Sequence, residues 1–163
     1  MNTFCIPIRV TDEEALYDPF YPSGLSFSGE LMDYLEDCLE DRKVGDGLCL
    51  ELQASEMPDM EHFKKTYQVF AEKLVSRNKR KIHKQDLYAA ISLAAGVIFI
   101  ALGFALDGKA SPVVCEVIAS IGSFSLWGAI AAFIETIPTL RLKGILLQKF
   151  SKAEIRYRKL EEK

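Results

Sequence analysis

Glu116 and Glu135 are the residues of this 163-residue chain most suggestive of chemistry. Both lie in a run that is otherwise uncharged and strongly apolar. An ionised group buried there costs several kcal/mol, on the order of 3, unless it meets water, an ion or a partner. An acid so placed can relay a proton, hold an ion or contact another helix. Depth argues for the simplest role. Glu116 falls in the first turns of its helix, near the positive end of the helix dipole. Glu135 falls at the other end, within sequence reach of Arg141, Lys84 or His83. Both therefore fit an interfacial position. Trp127 stands eleven residues after Glu116, close to three helical turns, so the two share a side. Ser120 and Ser123 lie on that same side. A face of acid, small hydroxyls and indole suits another helix better than lipid. Glu116, Ser120, Ser123 and Trp127 are thus a candidate intramembrane contact face, and Glu135 a candidate acid at the cytoplasmic interface.

Other reactive side chains form no set. Cys5, Cys38, Cys49 and Cys115 are widely spaced, with no CxxC pair. Three fall in apolar faces outside the membrane run and one within it, as packing residues of a reducing compartment do. His62 and His83 have no nucleophile or acid at a catalytic spacing. No Gly-rich phosphate loop, HExxH or GxSxG occurs. The sequence therefore predicts no metal, no cofactor and no enzyme. The cluster Arg77–Lys84 lacks interleaved aromatics and abuts an apolar run, so lipid headgroups explain it and nucleic acid is not expected.

The elements that carry these residues follow from the charge pattern. Residues 1–62 hold 15 acidic and 3 basic groups, residues 63–86 hold 2 and 8, and residues 87–106 hold none. Leu87–Leu106 is thus an uninterrupted apolar run long enough to cross a hydrocarbon core of about 30 Å. A second run covers 113–137. Ser111 is a good N-cap and Pro112 suits the first helical position. The linker DGKASP is too short to fold alone, which makes the two runs an antiparallel hairpin. Ala90 and Ala94, Ala119 and Ser123, and Gly128 and Ala132 have small-xxx-small spacing for close helix contact. Basic residues precede the first run and follow the second, while the loop between them has only Lys109. The positive-inside rule then places both termini in the cytoplasm of a plasma (inner) membrane. The first residues, MNTFCIPIRVTDEE, lack the features of a secretory leader.

Outside the membrane, Thr3–Val10 alternates as a strand, with Phe4, Ile6, Ile8 and Val10 on one face. Asp18-Pro19 and Tyr21-Pro22-Ser23-Gly24 are turn formers. Ser28 can cap an acidic amphipathic helix to about Arg42, with Leu31, Tyr34, Leu35, Cys38 and Leu39 inward and Asp33, Glu36, Asp37, Glu40 and Asp41 outward. Gly45-Asp46-Gly47 turns into a second strand, LCLELQA. Met60, Phe63, Tyr67, Phe70 and Leu74 then form a helical stripe that runs on toward the first apolar segment. After Pro138, Leu142, Leu146, Phe150, Ala153, Tyr157 and Leu160 repeat the stripe. The second stripe either pairs with the first or lies on anionic lipid as a basic amphipathic helix.

The fold class expected is an α+β membrane protein. A two-helix transmembrane hairpin carries a small cytoplasmic β-α-β-α unit and a basic carboxy-terminal amphipathic helix. The segments are 1–58, an acidic β-α-β unit; 59–86, an amphipathic and basic juxtamembrane helix; 87–106, the first span; 107–112, the external loop; 113–137, the second span; and 138–163, the basic helix. Two strands alone make a marginal sheet, so this unit needs helices or a second copy beside it.

Glu116, Gly122, Leu126 and Trp127 in the second run, together with Tyr17-Asp18-Pro19 and the helix LMDYLEDCLED, carry a resemblance. Over residues from about 16 to 155 the chain resembles a family of small, uncharacterised bacterial two-span membrane proteins. Where that family has a Pro and a Glu soon after the Trp, this chain has Gly128-Ala129-Ile130-Ala131. The resemblance implies a multi-pass cell-membrane protein and no activity. The sequence-based expectation is a membrane-anchored interaction or assembly protein. Its partners are the lipid bilayer, an unidentified cytoplasmic protein and further copies of itself. The alternative is an oligomeric membrane effector or small channel. A membrane enzyme comes third.

Overall fold

The computed structural model describes residues 3–21, 24–40, 45, 47–55 and 57–160. The chain is helix-rich, with one small parallel sheet and two long apolar helices. In order it forms β1 (Thr3–Val10), a short 3-10 turn (Glu14–Leu16), α1 (Gly29–Glu40), β2 (Gly47–Ala54) and α2 (Met60–Leu106). There follow α3 (Pro112–Ala131), a π-helical segment (Ala132–Thr136), α4 (Ile137–Phe150) and β3 (Glu154–Lys159). Expectations for Pro22-Ser23, for Asp41-Arg42 at the end of the acidic helix and for Asp46 lie outside the described residues. Two compact units result: Met1–Arg77 with Leu142–Lys163, and Asn78–Arg141.

The first unit is built on the sheet, whose order is β1-β2-β3 with both pairings parallel. Side chains alternate across a strand. Ile6, Ile8, Leu50 and Leu52 therefore enter one core, which Leu31, Leu35 and Leu39 of α1 complete. Phe63, Tyr67, Phe70 and Leu74 of α2 join Leu146, Leu147 and Phe150 of α4 in that same core. The Tyr67 and Phe150 rings meet edge-on at 5.1 Å, and the Tyr67 hydroxyl donates to the Phe150 carbonyl. Burial pushes the Tyr67 phenol pKa upward. The two stripes thus pack together at Leu146 and Phe150, in company with the sheet, while Leu142 is exposed.

Beyond that point the expected helix over 138–163 is corrected. It ends at Phe150, and Ser151–Ala153 turns the chain into β3. Ala153, Tyr157 and Leu160 fit a helical stripe, but Ile155 and Tyr157 also alternate with Glu154, Arg156 and Arg158. The strand reading prevails because β2 offers an open edge, where the backbone of 154–159 finds partners in register. A third strand also relieves the marginal two-stranded sheet.

The cysteine expectation is corrected as well. Cys5 and Cys49 are disulfide-bonded, while Cys38 and Cys115 are free thiols. Neither bonded residue belongs to the apolar face. The core takes the even-numbered positions of β1 and β2, so Cys5 and Cys49 lie opposite, in line with Pro7, Arg9, Glu51 and Gln53.

In the second unit, α2 and α3 are linked by a turn in which Lys109 and Ala110 donate to the Leu106 carbonyl. Gly108 sits there at φ +74°, a conformation only glycine adopts without strain. Ser111 occupies the N-cap position without a side-chain capping bond, and Pro112 opens α3. The π segment ends at Thr136, two residues before Pro138, and the Ile137 N–H reaches back to the Ala132 carbonyl. A proline ring clashes with the carbonyl four residues earlier, and a widened turn at that point relieves the clash. The helix passes Pro138 without breaking.

Candidate functional site

The close contact within the second unit runs through Gly96 and Gly122. A Cβ on Gly96 would stand 2.6 Å from Leu126 Cγ and 3.0 Å from the Gly122 carbonyl. A Cβ on Gly122 would stand 2.8 Å from Ile100 Cγ1 and 3.0 Å from the Gly96 carbonyl. Gly103 faces Ala119 in ordinary contact, at 3.8 Å, and the Tyr88 hydroxyl lies 3.7 Å from the corresponding point on Gly128. These small residues let two helix backbones approach closely. Ala89, Ala132 and Ile137 extend the buried seam.

Glu116, Ser120, Ser123 and Trp127 are all exposed, so they lie off this seam. Trp127 is 70% exposed. The Ser123 hydroxyl donates back to the Ala119 carbonyl at 2.9 Å, which satisfies it within its own helix. The four residues share an exposed surface of α3. Of the small pairs read from the sequence, Ala90, Ala94, Ala119 and Ser123 are exposed, whereas Gly128 is half-buried and Ala132 buried.

Glu135 sits inside the π segment with its side chain exposed. Its backbone carbonyl accepts the Thr139 hydroxyl at 2.6 Å. Arg141, one of its expected partners, lies 4.0 Å from Asp86 instead. Asn78 is buried and donates its side-chain amide to the Leu140 carbonyl at 3.0 Å. These polar contacts tie α2 to the chain after the π turn.

In the first unit, polar groups converge where the loop before α1 meets the start of α2. Asp59 Oδ1 accepts the N–H groups of Glu61 and His62, each at 3.0 Å, and Glu13 Oε1 accepts the Asp59 N–H at 2.9 Å. Asp59 is therefore the N-cap of α2. The His62 N–H holds its carboxyl below the ordinary range, helped by that of Glu61. His62 Nε2–H donates to the Gly24 carbonyl at 3.1 Å, and the Tyr17 ring meets the imidazole edge-on at 4.7 Å. Burial, with the Glu13 and Asp59 carboxylates beside it, pushes the Tyr17 phenol up to about 12. The spacing Asp59-x-Glu61-His62 carried the cap signal, whereas no residue pattern pointed to the Tyr17–His62 contact. The group has hydrogen-bonding partners suited to anchoring a loop and, among the described residues, no nucleophile. Nor do the described residues bring three metal-ligating side chains together.

The acidic surface of α1 is kept: Glu30, Asp33, Asp37 and Glu40 are exposed beyond the buried leucines. Lys143 of α4 pairs with Glu40 at 2.9 Å.

No protein-family model, no curated protein and no solved structure matches the chain.

Proposed function

We propose that this chain is a two-span plasma-membrane protein that presents an acidic sheet-and-helix unit to the cytoplasm and acts by binding or assembling. The observation that carries the reading is the exposure of the apolar helices. Of their most apolar 18-residue windows, only 11% and 17% are buried. A core helix of a water-soluble protein would be mostly covered. Here Leu87, Ile91, Ile98, Phe104, Phe124 and Ile134 are exposed together, and a hydrocarbon solvent removes the cost of that exposure. The basic flanks orient the hairpin with both termini inside. The resemblance noted above points the same way, to a bacterial multi-pass protein.

A second reading is favoured by α3. Its outer face of Glu116, Ser120, Ser123 and Trp127 is left uncovered by the rest of the second unit. An oligomer that covers this face with neighbouring copies would make the protein a membrane effector or small channel. Two helices per chain enclose a path only as several hairpins around an axis.

Cross-linking in native membranes separates the two. Capture of one distinct cytoplasmic protein on the acidic unit supports the binding role. A ladder of self-adducts supports the oligomer. Release of the chain from membranes by alkaline carbonate contradicts both.

A further inference from the structure

We propose that Cys5 and Cys49 are a reversible thiol–disulfide couple, with Cys5 the site at which a small thiol such as glutathione forms a mixed disulfide. The inference rests in one part on the cytoplasmic reading of the first unit, and in the other on geometry alone.

The geometry is that of a bond the fold sets up. Cys5 and Cys49 are direct partners in the parallel pairing of β1 with β2, with Cα atoms 4.4 Å apart. Neither belongs to the main apolar cluster, which takes Ile6 and Leu50 from the other side of the same strands, though Cys49 itself is buried. Buried free cysteines usually behave as small core hydrophobes. Two cysteines in register on the face away from the core have the bond itself as their evident use.

The pair is asymmetric. Cys49, on the central strand, is 1% exposed, whereas Cys5, on the edge strand, is partly open to solvent. Exchange requires a thiolate to reach a sulfur, so access selects the one attacked. A glutathione thiolate attacks Cys5 Sγ, the protein S–S bond breaks, and Cys49 leaves as a thiolate that takes up a proton. A second glutathione then attacks the glutathione sulfur bound to Cys5. That step releases oxidised glutathione and the Cys5 thiolate, which is protonated in turn. The net change is one protein disulfide and two glutathione thiols to two protein thiols and one glutathione disulfide. The reverse path starts from oxidised glutathione and closes the bond.

Cytosolic disulfides are mostly transient and redox-sensing rather than permanent staples. The bond links edge strand β1 covalently to the centre of the sheet. Oxidation locks that edge, and reduction leaves it held by backbone pairing and by core contacts alone.

The test uses the full-length chain in sealed vesicles, both inside-out and right-side-out. Glutathione at stepped ratios of reduced to oxidised form is added outside. Each sample is acid-quenched, alkylated and read peptide by peptide, with Cys38 as an internal free-thiol reference. The expected result is a reversible passage of the Cys5–Cys49 pair from mainly thiol to mainly disulfide across the series. In Cys49→Ser, where the second bond cannot form, the glutathione adduct should accumulate on Cys5 at least tenfold above Cys49 in Cys5→Ser. A wild-type pair that stays disulfide in excess reduced glutathione, or thiol in excess oxidised glutathione, overturns the proposal. So does equal adduct on the two single variants. The membrane-impermeant reagent should reach the pair only in inside-out vesicles. Titration only in right-side-out vesicles would instead overturn the cytoplasmic reading and leave the couple standing.

Discussion

Gly96 and Gly122 meet backbone to backbone: the carbonyl oxygen of each stands 3.0 Å from the point where a Cβ on the other would lie. This contact sets how closely the two apolar helices approach. A larger side chain at either position must push Ile100, Leu126 or the backbone itself aside. Gly122→Val should lower the stability of the hairpin by about 1–3 kcal/mol, the usual cost of overpacking. Ile98→Leu, on the exposed side, should leave it unchanged. Unfolding of the purified chain by graded sodium dodecyl sulfate measures both.

That seam was partly legible. Ala89, Gly96 and Gly103 recur every seven residues on α2, and Cys115, Gly122 and Ala129 do so on α3. Each residue of the two series is buried or half-buried. A seven-residue repeat of small side chains is the signal of a left-handed antiparallel contact. Four-residue spacing picks out Ala90 and Ala94 instead, which face outward. Small residues are common in apolar helices, and only the repeat separates those on the seam from the rest.

Glu116→Leu and Trp127→Ala should leave hairpin stability within about 0.5 kcal/mol of wild type, as surface changes do. If α3 meets a second copy through this face, each should weaken detergent-stable self-association by roughly 1–2 kcal/mol. Analytical ultracentrifugation in matched-density detergent reads the association. Unchanged association in both variants removes the case for this face.

In the first unit, the Tyr67 hydroxyl donates to the Phe150 carbonyl inside the core. Tyr67→Phe removes one of two donors to that carbonyl, which keeps the Ala153 N–H, and should cost about 1 kcal/mol. Phe150→Ala empties a fully buried site against both Tyr67 and Phe70 and should cost about 3–5 kcal/mol. Near-ultraviolet circular dichroism during urea unfolding compares the two.

The strands show where sequence patterning stops. Phe4, Ile6, Ile8 and Val10 alternate clearly, and β1 and β2 occur where that alternation predicts them. β3 was hidden because Tyr157 satisfies a helical and a strand period at once, and only the open edge of β2 decides between them. The Cys5–Cys49 pairing was hidden for a related reason. The partners are 44 residues apart in sequence, and only the register of β1 on β2 brings them together.

The junction of Asp59 and Tyr17 gives the first unit a pH dependence at each extreme. The folded state holds the Asp59 pKa below its ordinary value of 3.8. Its contribution is therefore present above that pH and lost as the pH falls through the lower, folded value. The folded state raises the Tyr17 pKa from 10.0 to about 12. That contribution is complete below pH 10 and fades as the pH climbs toward 12. Asp59→Asn should flatten the acid limb of a stability–pH profile, and Tyr17→Phe the alkaline limb. Unchanged limbs would show that neither group titrates differently on folding.

Topology is the central claim, and cysteine accessibility in intact cells tests it most directly. With Cys115→Ala as the parent chain, Ala110→Cys places a thiol in the turn between α2 and α3, and Ser55→Cys places one after β2. A membrane-impermeant maleimide should label Ala110→Cys above the parent in intact cells, and Ser55→Cys only after permeabilisation. Labelling of Ser55→Cys in intact cells with protection of Ala110→Cys would contradict the account.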